Sequence, residues 1–288
     1  MQIDHFRVRP GDRAPLARYR PDHIEGFSDR TSARGHLEKG LARLEALQEL
    51  LYAQDRYALL VILQGMDASG KDSAIEHVMS GLNPQGTEVH AFKQPSSEEL
   101  SHDFLWRAAR VLPERGRIGI FNRSYYEEVL VVRVHPRLLA AEQLPPERLT
   151  SHIWRERFED IRSFERHLWR NGTIIRKFFL YVSRSEQRKR LLERLDNPAK
   201  NWKFSLADLP ERAKWKAYMS AYQDALSATS RGHAPWHVIP ADHKWFAHVL
   251  IADVLVKALD ELDMSFPRLT RQRRRELAEA RRQLTARD

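Results

Sequence analysis

YALLVILQGMDASGKDS, residues 57–73, is the stretch that decides the fold of this 288-residue chain. Its first seven residues are apolar throughout, which is typical of a strand buried on both faces inside a parallel sheet. The next residues fit the pattern GxxxxGK, between that strand and a predicted helix. In such a turn the backbone amides point at an anion, and the helix start adds its positive end. The stretch predicts a phosphate site with Lys71 reaching the bound group, formed by Gly65, Ala68, Ser69, Gly70, Lys71, Asp72 and Ser73.

Two positions of this loop depart from the pattern of nucleotide-hydrolysing loops. Those loops place Ser or Thr after the lysine to hold magnesium, whereas here Asp72 follows Lys71 and Ser73 comes one residue later. Asp67 also puts a carboxylate where it would face the phosphates, which is costly unless a cation or a proton lies between them. We therefore predict that Asp67 binds magnesium or handles a proton. The alternative is a turn residue that caps backbone amides.

Strands and helices alternate along the chain. Besides residues 57–63, short apolar runs predict strands at 88–92, 117–121, 177–182 and 236–239. Helical periodicity or composition predicts helices at 37–51, 72–79, 98–111, 151–169 and 244–262. This alternation predicts an α/β fold of three layers, in which helices cover both faces of a mostly parallel central sheet.

The rest of the chain is assigned around that domain. Residues 1–31 are polar and broken by Pro and Gly, so we expect an irregular N-terminal arm. Residues 32–262 form the domain, and 263–288 form a basic helical tail. Within the domain, 185–225 is helical in pattern, highly charged and rich in Trp and Tyr. It is predicted to be a lid at about 185–225, and the alternative is a thick outer layer.

Composition excludes several classes of protein. Hydrophobic residues at 42% and charged residues at 30% are globular proportions. The apolar run at 57–63 is far shorter than the roughly 20 residues that cross a bilayer. The absence of cysteine removes disulfides, thiolate catalysis and iron–sulfur clusters, so any metal site must use oxygen or imidazole ligands. The N-terminal residues have scattered charges and no apolar core, so we expect a cytoplasmic protein without a membrane partner.

The formal net charge is +9, carried by 37 Arg and 11 Lys. Arginine grips phosphate with two parallel donors, so this bias favours a polyanionic partner. The tail contributes much of the excess, because residues 268–288 hold eight Arg and three acids, a net +5. The remaining chain therefore carries 9 − 5 = +4.

A second polar cluster follows the predicted strand at 117–121. Asn122, Arg123, Tyr125, Tyr126 and Glu127 come directly after its apolar residues. In open α/β sheets, ligands bind at the carboxyl ends of strands, so this cluster is a candidate binding site. The alternatives are that the tyrosines only pack and that the glutamates form a solvated first helical turn.

Four blocks of the sequence resemble the second polyphosphate kinase family. They are GMDASGKDS, VHAFKQPSSEELSHDFLWR (89–107), FNRSYYEEVLVVRVHP (121–136) and DNPAKNWKFSLADLPERAKWKAYMSAY (196–222), in the family's order. The resemblance runs from about residue 37 to residue 262. It implies a P-loop kinase fold with a helical lid, magnesium, a homo-oligomer, and phosphoryl transfer between inorganic polyphosphate and AMP, ADP or ATP.

The resemblance also implies roles for individual residues. Asp67 and Lys71 match the loop carboxylate and lysine that act on the phosphates, and Arg123 matches the arginine of the second motif. Asn122 stands where many members have Asp. This form, followed by Glu127 and Glu128, resembles the subclass that phosphorylates both nucleoside monophosphates and diphosphates. Glu127 would then lie near the base and the nucleotide would enter near Lys93. Further phosphate contacts would come from Arg133, Arg188, Arg194, Lys200 and Lys203.

Two other functions are compatible with the same residues. One is a conventional nucleoside monophosphate kinase that uses ATP as donor on this fold. The other is a nucleic-acid-binding protein, because residues 268–288 are basic and the sequence pI is about 9.8. Against the second, Glu276 and Glu279 offset part of the charge, as in a solvated amphipathic helix. We therefore expect no nucleic-acid partner.

Overall fold

A computed structural model describes residues 2–13 and 15–286. Its core is a five-stranded sheet in the order β2-β3-β1-β4-β5, and every neighbouring pair is parallel. The strands are β1 (Ala58–Gln64), β2 (Thr87–Ala91), β3 (Ile118–Asn122), β4 (Thr173–Tyr181) and β5 (Trp236–Pro240). All seven residues of β1 are buried, as expected for the central strand of a sheet covered on both faces.

Twelve α-helices connect and flank these strands in the described part of the chain. They are α1 (Arg30–Gln54), α2 (Lys71–Val78), α3 (Ser97–Leu100), α4 (Trp106–Ala109), α5 (Val131–Val134), α6 (Pro136–Ala141), α7 (Ile153–Arg170), α8 (Arg184–Asp196), α9 (Asp208–Ala213), α10 (Trp215–Thr229), α11 (Lys244–Asp260) and α12 (Arg271–Thr285). Short 3-10 turns occur at Ile3–Phe6, Pro15–Arg18, Pro84–Gly86, Tyr125–Val129, Pro146–Arg148 and Asn201–Lys203.

Helices cover both faces of the sheet. Adjacent residues of a strand point to opposite faces, and β4 shows this directly. Lys177 contacts Glu165 of α7 on one face, whereas the neighbouring Arg176 reaches Glu261, just after α11, on the other. The helices α1, α2 and α11 pack together, and α7 packs with α10. The predicted three-layer α/β fold with a parallel sheet is confirmed.

All five predicted strands are present, but the predicted helix at 98–111 is wrong. The chain forms two short helices there, α3 and α4. Asp103 lies between them, and its side chain accepts a hydrogen bond from the Leu105 amide at 2.9 Å. Such a local turn competes with helical hydrogen bonding, so the helix is interrupted.

The segment 185–225 contains two different environments. From α8 to α9 it lies over the carboxyl end of the sheet, and two of its apolar side chains are largely exposed, Trp202 at 78% and Leu206 at 79%. The following helix α10 instead packs into the hydrophobic core, where Tyr222 stacks on Phe179 of β4. The lid at about 185–225 stays a prediction, and its last part, α10, belongs to the core.

The two ends of the chain differ in packing. The segment before α1 lies against β5, and the Val8 amide donates to the Trp236 carbonyl at 2.9 Å. In contrast, α12 has no buried residue over its described length. No helix in the described ranges has the length and apolar character needed to cross a membrane.

Candidate active site

The β1–α2 loop has a backbone that only glycine permits at two positions. Gly65 has φ 159°, and a Cβ there would lie 2.6 Å from Ser69 Oγ and 2.9 Å from the Leu180 carbonyl oxygen. Gly70 has φ 107° and precedes the first residue of α2. Non-glycine residues rarely adopt this left-handed region. Backbone sterics therefore explain why both fixed positions of GxxxxGK are glycine.

Lys71 is held inside this loop. Its Nζ donates to the carbonyl oxygens of Gly65 at 2.7 Å and Met66 at 3.2 Å. Burial lowers the pKa of Lys71 to about 8, and the nearby positive charge of Arg123 adds to this effect. A buried ammonium group with only neutral acceptors favours an additional anion beside it.

Arg123 connects the loop to the end of β3. Its Nη2 donates to Asp67 Oδ1 at 2.6 Å and its Nη1 to Glu127 Oε2 at 3.2 Å. Burial opposes its charge, but the Glu127 and Asp67 carboxylates raise the pKa of Arg123 above its ordinary value. Arg123 also has φ 66°, which is uncommon for a residue with a side chain. This backbone directs a permanently charged guanidinium between two acids predicted to act at the site.

The residue after the lysine is paired with the end of the neighbouring strand. Asn122 Nδ2 donates to Asp72 Oδ1 at 2.7 Å. The side-chain amide at the end of β3 thus contacts the carboxylate in the first turn of α2 directly. Ser73, one residue later, lies 3.3 Å from His248 Nε2 of α11 through its Oγ. Its hydroxyl therefore faces the α11 side of α2.

Helix α8 fastens the loop through backbone carbonyls. Gln187 Nε2 donates to the Asp67 carbonyl at 2.9 Å, and Arg190 Nη1 donates to those of Ala68 at 3.0 Å and Ser69 at 2.9 Å. Arg190 Nη2 also donates to the Ala241 carbonyl at 2.5 Å, just after β5. Arg190 thus holds the loop and the β5–α11 connection in one arrangement. Neither α8 residue was predicted from the sequence.

A cavity of about 1130 Å³, here called the loop cavity, brings most predicted site residues together. The predicted residues that line it are Asp67, Ala68, Ser69, Gly70, Lys71, Asp72, Ser73, Lys93, Asn122, Arg123, Arg194, Lys200 and Lys203. It is also lined by residues that were not predicted from the sequence, including Arg190, Trp202, Asp208 and Lys244. Its wall is therefore formed by the β1–α2 loop, the ends of β2 and β3, and α8 with the segment after it.

A second cavity of about 590 Å³, here called the β2–β3 cavity, adjoins the first. The two share Asp67, Phe92, Lys93 and Arg123, and the predicted nucleotide residue Glu127 lines the second. Among the residues that line this cavity, Glu128 accepts a hydrogen bond through Oε1 from Arg157 Nε at 2.8 Å. Burial, together with the neighbouring Glu128, raises the pKa of Glu142 to about 8. The Glu142 carboxyl can therefore hold a proton near neutral pH.

Two predicted phosphate contacts lie elsewhere. Arg133 lines neither cavity, and its Nη2 donates to Asp224 Oδ2 of α10 at 2.6 Å. Arg188 lies with Arg184 and Arg212 in a separate groove. In this arrangement neither side chain contacts the β1–α2 loop. Contact of these two residues with phosphate stays a prediction, since Arg133 is paired with Asp224 and Arg188 lies in a different groove.

The oxygen ligands at the loop cavity are compatible with magnesium, but they do not form a complete metal site. In the described part of the chain, no group of three or more acidic or imidazole side chains is arranged to hold a metal. Magnesium usually keeps several waters and is held by one or two carboxylates together with substrate phosphates. Asp67 in the β1–α2 loop and Asp72 in the first turn of α2 are two such carboxylates, and both line the loop cavity. The residues therefore fit a magnesium ion that binds together with phosphate.

A family comparison decides the relationship of this chain to known proteins. The family described as Polyphosphate kinase 2 (PPK2) matches residues 28–267, most of the chain. The chain belongs to the polyphosphate kinase 2 family. The predicted family and the predicted enzyme class, a kinase, are therefore confirmed.

Individual relatives agree with this family assignment. The chain is 50% identical over 287 residues to an ADP-polyphosphate phosphotransferase of Rhodopseudomonas palustris, covering 99% of each chain. It is 45% identical over 263 residues to an AMP/ADP-polyphosphate phosphotransferase of Meiothermus ruber, covering 91% of this chain and 94% of the relative. The crystal structure of polyphosphate kinase 2 from Arthrobacter aurescens matches with a TM-score of 0.85 at 39% identity and 95% coverage of both chains.

Proposed function

We propose that this protein transfers a phosphoryl group between inorganic polyphosphate and AMP or ADP, by direct in-line and magnesium-dependent transfer. The names of the two relatives support these substrates, since one is an ADP-polyphosphate and the other an AMP/ADP-polyphosphate phosphotransferase. The observation that carries the proposal is the meeting of two cavities at Asp67 and Arg123, beside the β1–α2 loop. Donor and acceptor can therefore approach one phosphoryl group from different cavities.

The loop cavity suits the polyphosphate donor. Loop amides would hold the terminal phosphoryl group, while Lys71 and Arg123 would offset the charge that develops on it. Arg194, Lys200 and Lys203 face the same cavity from the α8–α9 segment. Arg194 lies 3.5 Å from Asp208, and Lys200 contacts Glu193, so phosphates would compete with acids for these cations.

The β2–β3 cavity suits the nucleotide acceptor. Its volume lies within the range of roughly 300–1,000 Å³ that is common for small-ligand sites. Lys93 lines both cavities, so it would contact the nucleotide phosphates at their junction. Glu127 lines the β2–β3 cavity, where it would contact the nucleoside. A nucleotide in this cavity would present its terminal phosphate oxygen to the donor next to Asp67.

Transfer needs one bond to form as another breaks. The acceptor phosphate oxygen attacks the terminal phosphorus of polyphosphate, and the shortened polyphosphate leaves with the bridging oxygen. No covalent enzyme intermediate is required, because positioning and neutralisation of charge supply the catalysis. Asp67 would hold the magnesium ion, with Asn122 and Asp72 adjacent. When bound, the ion offsets negative charge on the phosphates.

A donor and acceptor matrix tests this function. The purified protein is incubated with magnesium, AMP or ADP, and either polyphosphate or ATP, and the nucleotide products are quantified. We expect ADP or ATP to form with polyphosphate. Formation of ADP from AMP with ATP as the only effective donor would instead identify a conventional nucleoside monophosphate kinase. The match to the polyphosphate kinase 2 family favours the first result.

Magnesium dependence is tested in the same assay. Removing the ion with a chelator should abolish transfer, and returning magnesium should restore it. Asp67→Asn should raise the magnesium concentration needed for half-maximal rate. An unchanged magnesium requirement would contradict Asp67 as the ligand. A cytoplasmic location and assembly into a homo-oligomer stay predictions.

A further inference from the structure

The β2–β3 cavity is lined by two carboxyl groups that have no role in the proposed transfer. Glu128 belongs to the turn Tyr125–Val129, and Glu142 directly follows α6. Both approach Arg157 of α7, whose Nε donates to Glu128 Oε1 at 2.8 Å and whose Nη2 donates to Glu142 Oε2 at 3.3 Å. Glu128, Glu142 and Arg157 thus form one group, here called the Glu142 cluster.

The Glu142 cluster holds two acids and one cation. Within residues 2–13 and 15–286, Arg157 is the one cation that pairs with either carboxyl group. Glu142 also lies within hydrogen-bonding reach of Glu128. Two carboxyl groups can share a hydrogen bond only when one of them holds a proton, because an ionised carboxylate is an acceptor only. The geometry therefore favours a neutral acid, and burial, together with the neighbouring Glu128, raises the pKa of Glu142 to about 8 in agreement.

Neighbouring elements do not supply a second cation for the cluster. Arg123 pairs with Glu127, Arg107 lies beside an acid of α3, and Lys93 is shared with the loop cavity. On α7, Asp160 also interacts with Arg157. The titratable or charged groups that the other surrounding elements place in this cavity are Glu99, His102, Asp103 and Arg107 of the α3–α4 segment, and Glu211 and Tyr218 of α9 and α10. A proton, rather than a side chain, therefore balances the second acid.

Glu142 has hydrogen-bonding capacity that the protein leaves unfilled. In the described part of the chain it accepts from a single N–H group, Arg157 Nη2, although a carboxyl group offers about four acceptor sites. In contrast, Glu211 of the same cavity contacts His135 Nε2 at 2.8 Å and accepts from Tyr218. Glu142 is half-buried, so its remaining sites are directed at a ligand in the cavity rather than at bulk water.

Apolar side chains line the same cavity next to the Glu142 cluster. Phe92, Phe104 and Leu138 are among them, and the Arg157 guanidinium carbon lies 4.6 Å from the centroid of the Phe104 ring. Sites for small ligands combine apolar walls with a few polar groups that fix the orientation of the ligand. A nucleobase has apolar faces and a polar edge. It therefore matches this arrangement, with its faces on the apolar side chains and its edge at Glu142.

We propose that Glu142, as a neutral acid, is the residue that recognises the adenine edge of the nucleotide. Its hydroxyl donates to a ring nitrogen of adenine, and its carbonyl oxygen accepts from the adjacent N6 amino group. Side-chain amides pair with adenine through the same combination of one donor and one acceptor. This assignment rests on the proposed function and adds the residue that selects the base. An ionised Glu142 would lose the donor and would repel the lone pair of the ring nitrogen.

Two acceptors that differ in one group test this contact. AMP is compared with purine riboside 5′-monophosphate, which lacks the N6 amino group, at neutral pH with saturating polyphosphate and magnesium. We expect the kcat/KM of the wild type to be about fivefold or more higher for AMP, since the analogue loses one hydrogen bond. This preference should disappear in Glu142→Met and persist in Glu142→Gln, because an amide keeps a donor and an acceptor. The matched control Glu147→Met changes an exposed acid of the turn Pro146–Arg148 and should leave the preference unchanged.

The pH dependence of the same reaction gives an independent readout. Because the pKa of Glu142 is raised to about 8, the residue is neutral below that pH and ionised above it. With polyphosphate saturating, kcat/KM for AMP should therefore decline above about pH 8 in the wild type. The decline should be weaker in Glu142→Gln, whose amide does not titrate. Lys71 is present in both proteins, so the difference between the two profiles belongs to Glu142.

Each outcome decides for or against Glu142. A wild type that does not prefer AMP overturns the assignment, and so does a preference that survives in Glu142→Met or is lost in Glu147→Met. Loss of the preference in Glu142→Gln, or the same alkaline decline in Glu142→Gln and wild type, reduces Glu142 to a structural partner of Arg157 and also overturns it. Thermal melting shows whether the variants are folded, and if Glu142→Met is not, the preference and pH profile of Glu142→Gln decide. The proposed function fails separately, if the wild type forms no ADP from AMP and polyphosphate.

Discussion

At the scale of single residues, Lys71 is the group on which transfer depends most directly. It is the one loop cation that is buried beneath the proposed phosphate position, held by two carbonyl oxygens. Lys71→Ala should lower turnover by about 100-fold to 1000-fold, the usual loss when one electrostatic contributor is removed. The control Lys39→Ala changes an exposed lysine on α1 and should keep wild-type turnover. Near-normal activity of Lys71→Ala would contradict the site.

Lys71 should also limit activity at high pH. Its pKa is lowered to about 8, so the free enzyme loses the ammonium group above that pH, while below it the charge is fully present. With nucleotide saturating, kcat/KM for polyphosphate should therefore decline above about pH 8, approaching tenfold per pH unit. In Lys71→Arg the charge persists, so any remaining activity should lack this decline. The same alkaline limb in both proteins would assign the titration to another group.

The sequence predicted those site residues whose role depends only on neighbouring residues in the chain. Gly65, Gly70 and Lys71 are specified by a strand, a turn and a helix start within seventeen residues. In contrast, Arg190 contacts the loop from about 120 residues downstream, and nothing in its own segment distinguishes it from other arginines of α8. For the same reason, pairing of Arg133 with Asp224 could not be foreseen, since it depends on how α10 packs.

At the scale of elements, the contact between α8 and the β1–α2 loop should determine loop geometry. Arg190→Met removes the donors to the Ala68, Ser69 and Ala241 carbonyls and leaves these acceptors without their partner. We expect the free energy of unfolding to fall by about 2–4 kcal/mol, measured by urea denaturation. The kcat/KM for polyphosphate should fall by roughly 10-fold to 100-fold, because the loop amides are no longer held in place.

Lys189→Met is the matched control for this contact. Lys189 is the exposed neighbour of Arg190 on α8, and surface substitutions of this kind usually change stability by less than about 0.5 kcal/mol. If Arg190→Met were less stable but had wild-type kcat/KM for polyphosphate, the contact would be structural only. If neither quantity changed, the hydrogen bonds would not form in solution.

A buried ion pair links β4 to the turn that follows Arg123. Lys177 Nζ donates to Glu165 Oε2 at 2.6 Å and to Tyr126 Oη at 2.8 Å, and Lys177 and Glu165 are almost completely buried. Lys177→Met leaves the Glu165 carboxylate buried without its cation, so we expect a loss of about 3–5 kcal/mol in unfolding free energy. The KM for nucleotide should rise, because the turn containing Tyr126 also contains Glu127.

A double variant separates lost pairing from lost packing. In Lys177→Met/Glu165→Gln the remaining amide is neutral and can still accept a hydrogen bond from Tyr126. The double variant should therefore regain most of the unfolding free energy that Lys177→Met loses, as measured by chemical denaturation. A double variant as unstable as Lys177→Met would show that the defect comes from packing around residue 177. Neither charge was part of the sequence prediction, because a lysine within an apolar strand gives no sign of its partner on α7.

At the scale of the whole molecule, positive charge is divided between the cavities and an exposed tail. The sequence predicted a mostly parallel sheet but not the order of its strands, because strand adjacency depends on contacts between distant segments. This order places β3 directly beside β1, so the polar residues that follow the two strands both line the loop cavity. The tail helix α12 lines neither the loop cavity nor the β2–β3 cavity. Phosphoryl transfer should therefore depend on the cavities rather than on the tail.

Truncation after Pro267 tests that division of charge. Removing residues 268–288 lowers the formal net charge from +9 to +4, the tail contributing +5. At physiological salt the screening length is about 8 Å, so an exposed helix outside the cavities has little influence on a substrate bound within them. We expect kcat/KM for polyphosphate to change by less than about threefold, and its decrease with rising salt to persist, in steady-state assays from low to high ionic strength. A loss of kcat/KM above about tenfold would instead make α12 the polyanion site, and so would a salt dependence that disappears with the tail. Gel-shift assays with RNA and duplex DNA would then determine whether nucleic acid is the partner of α12.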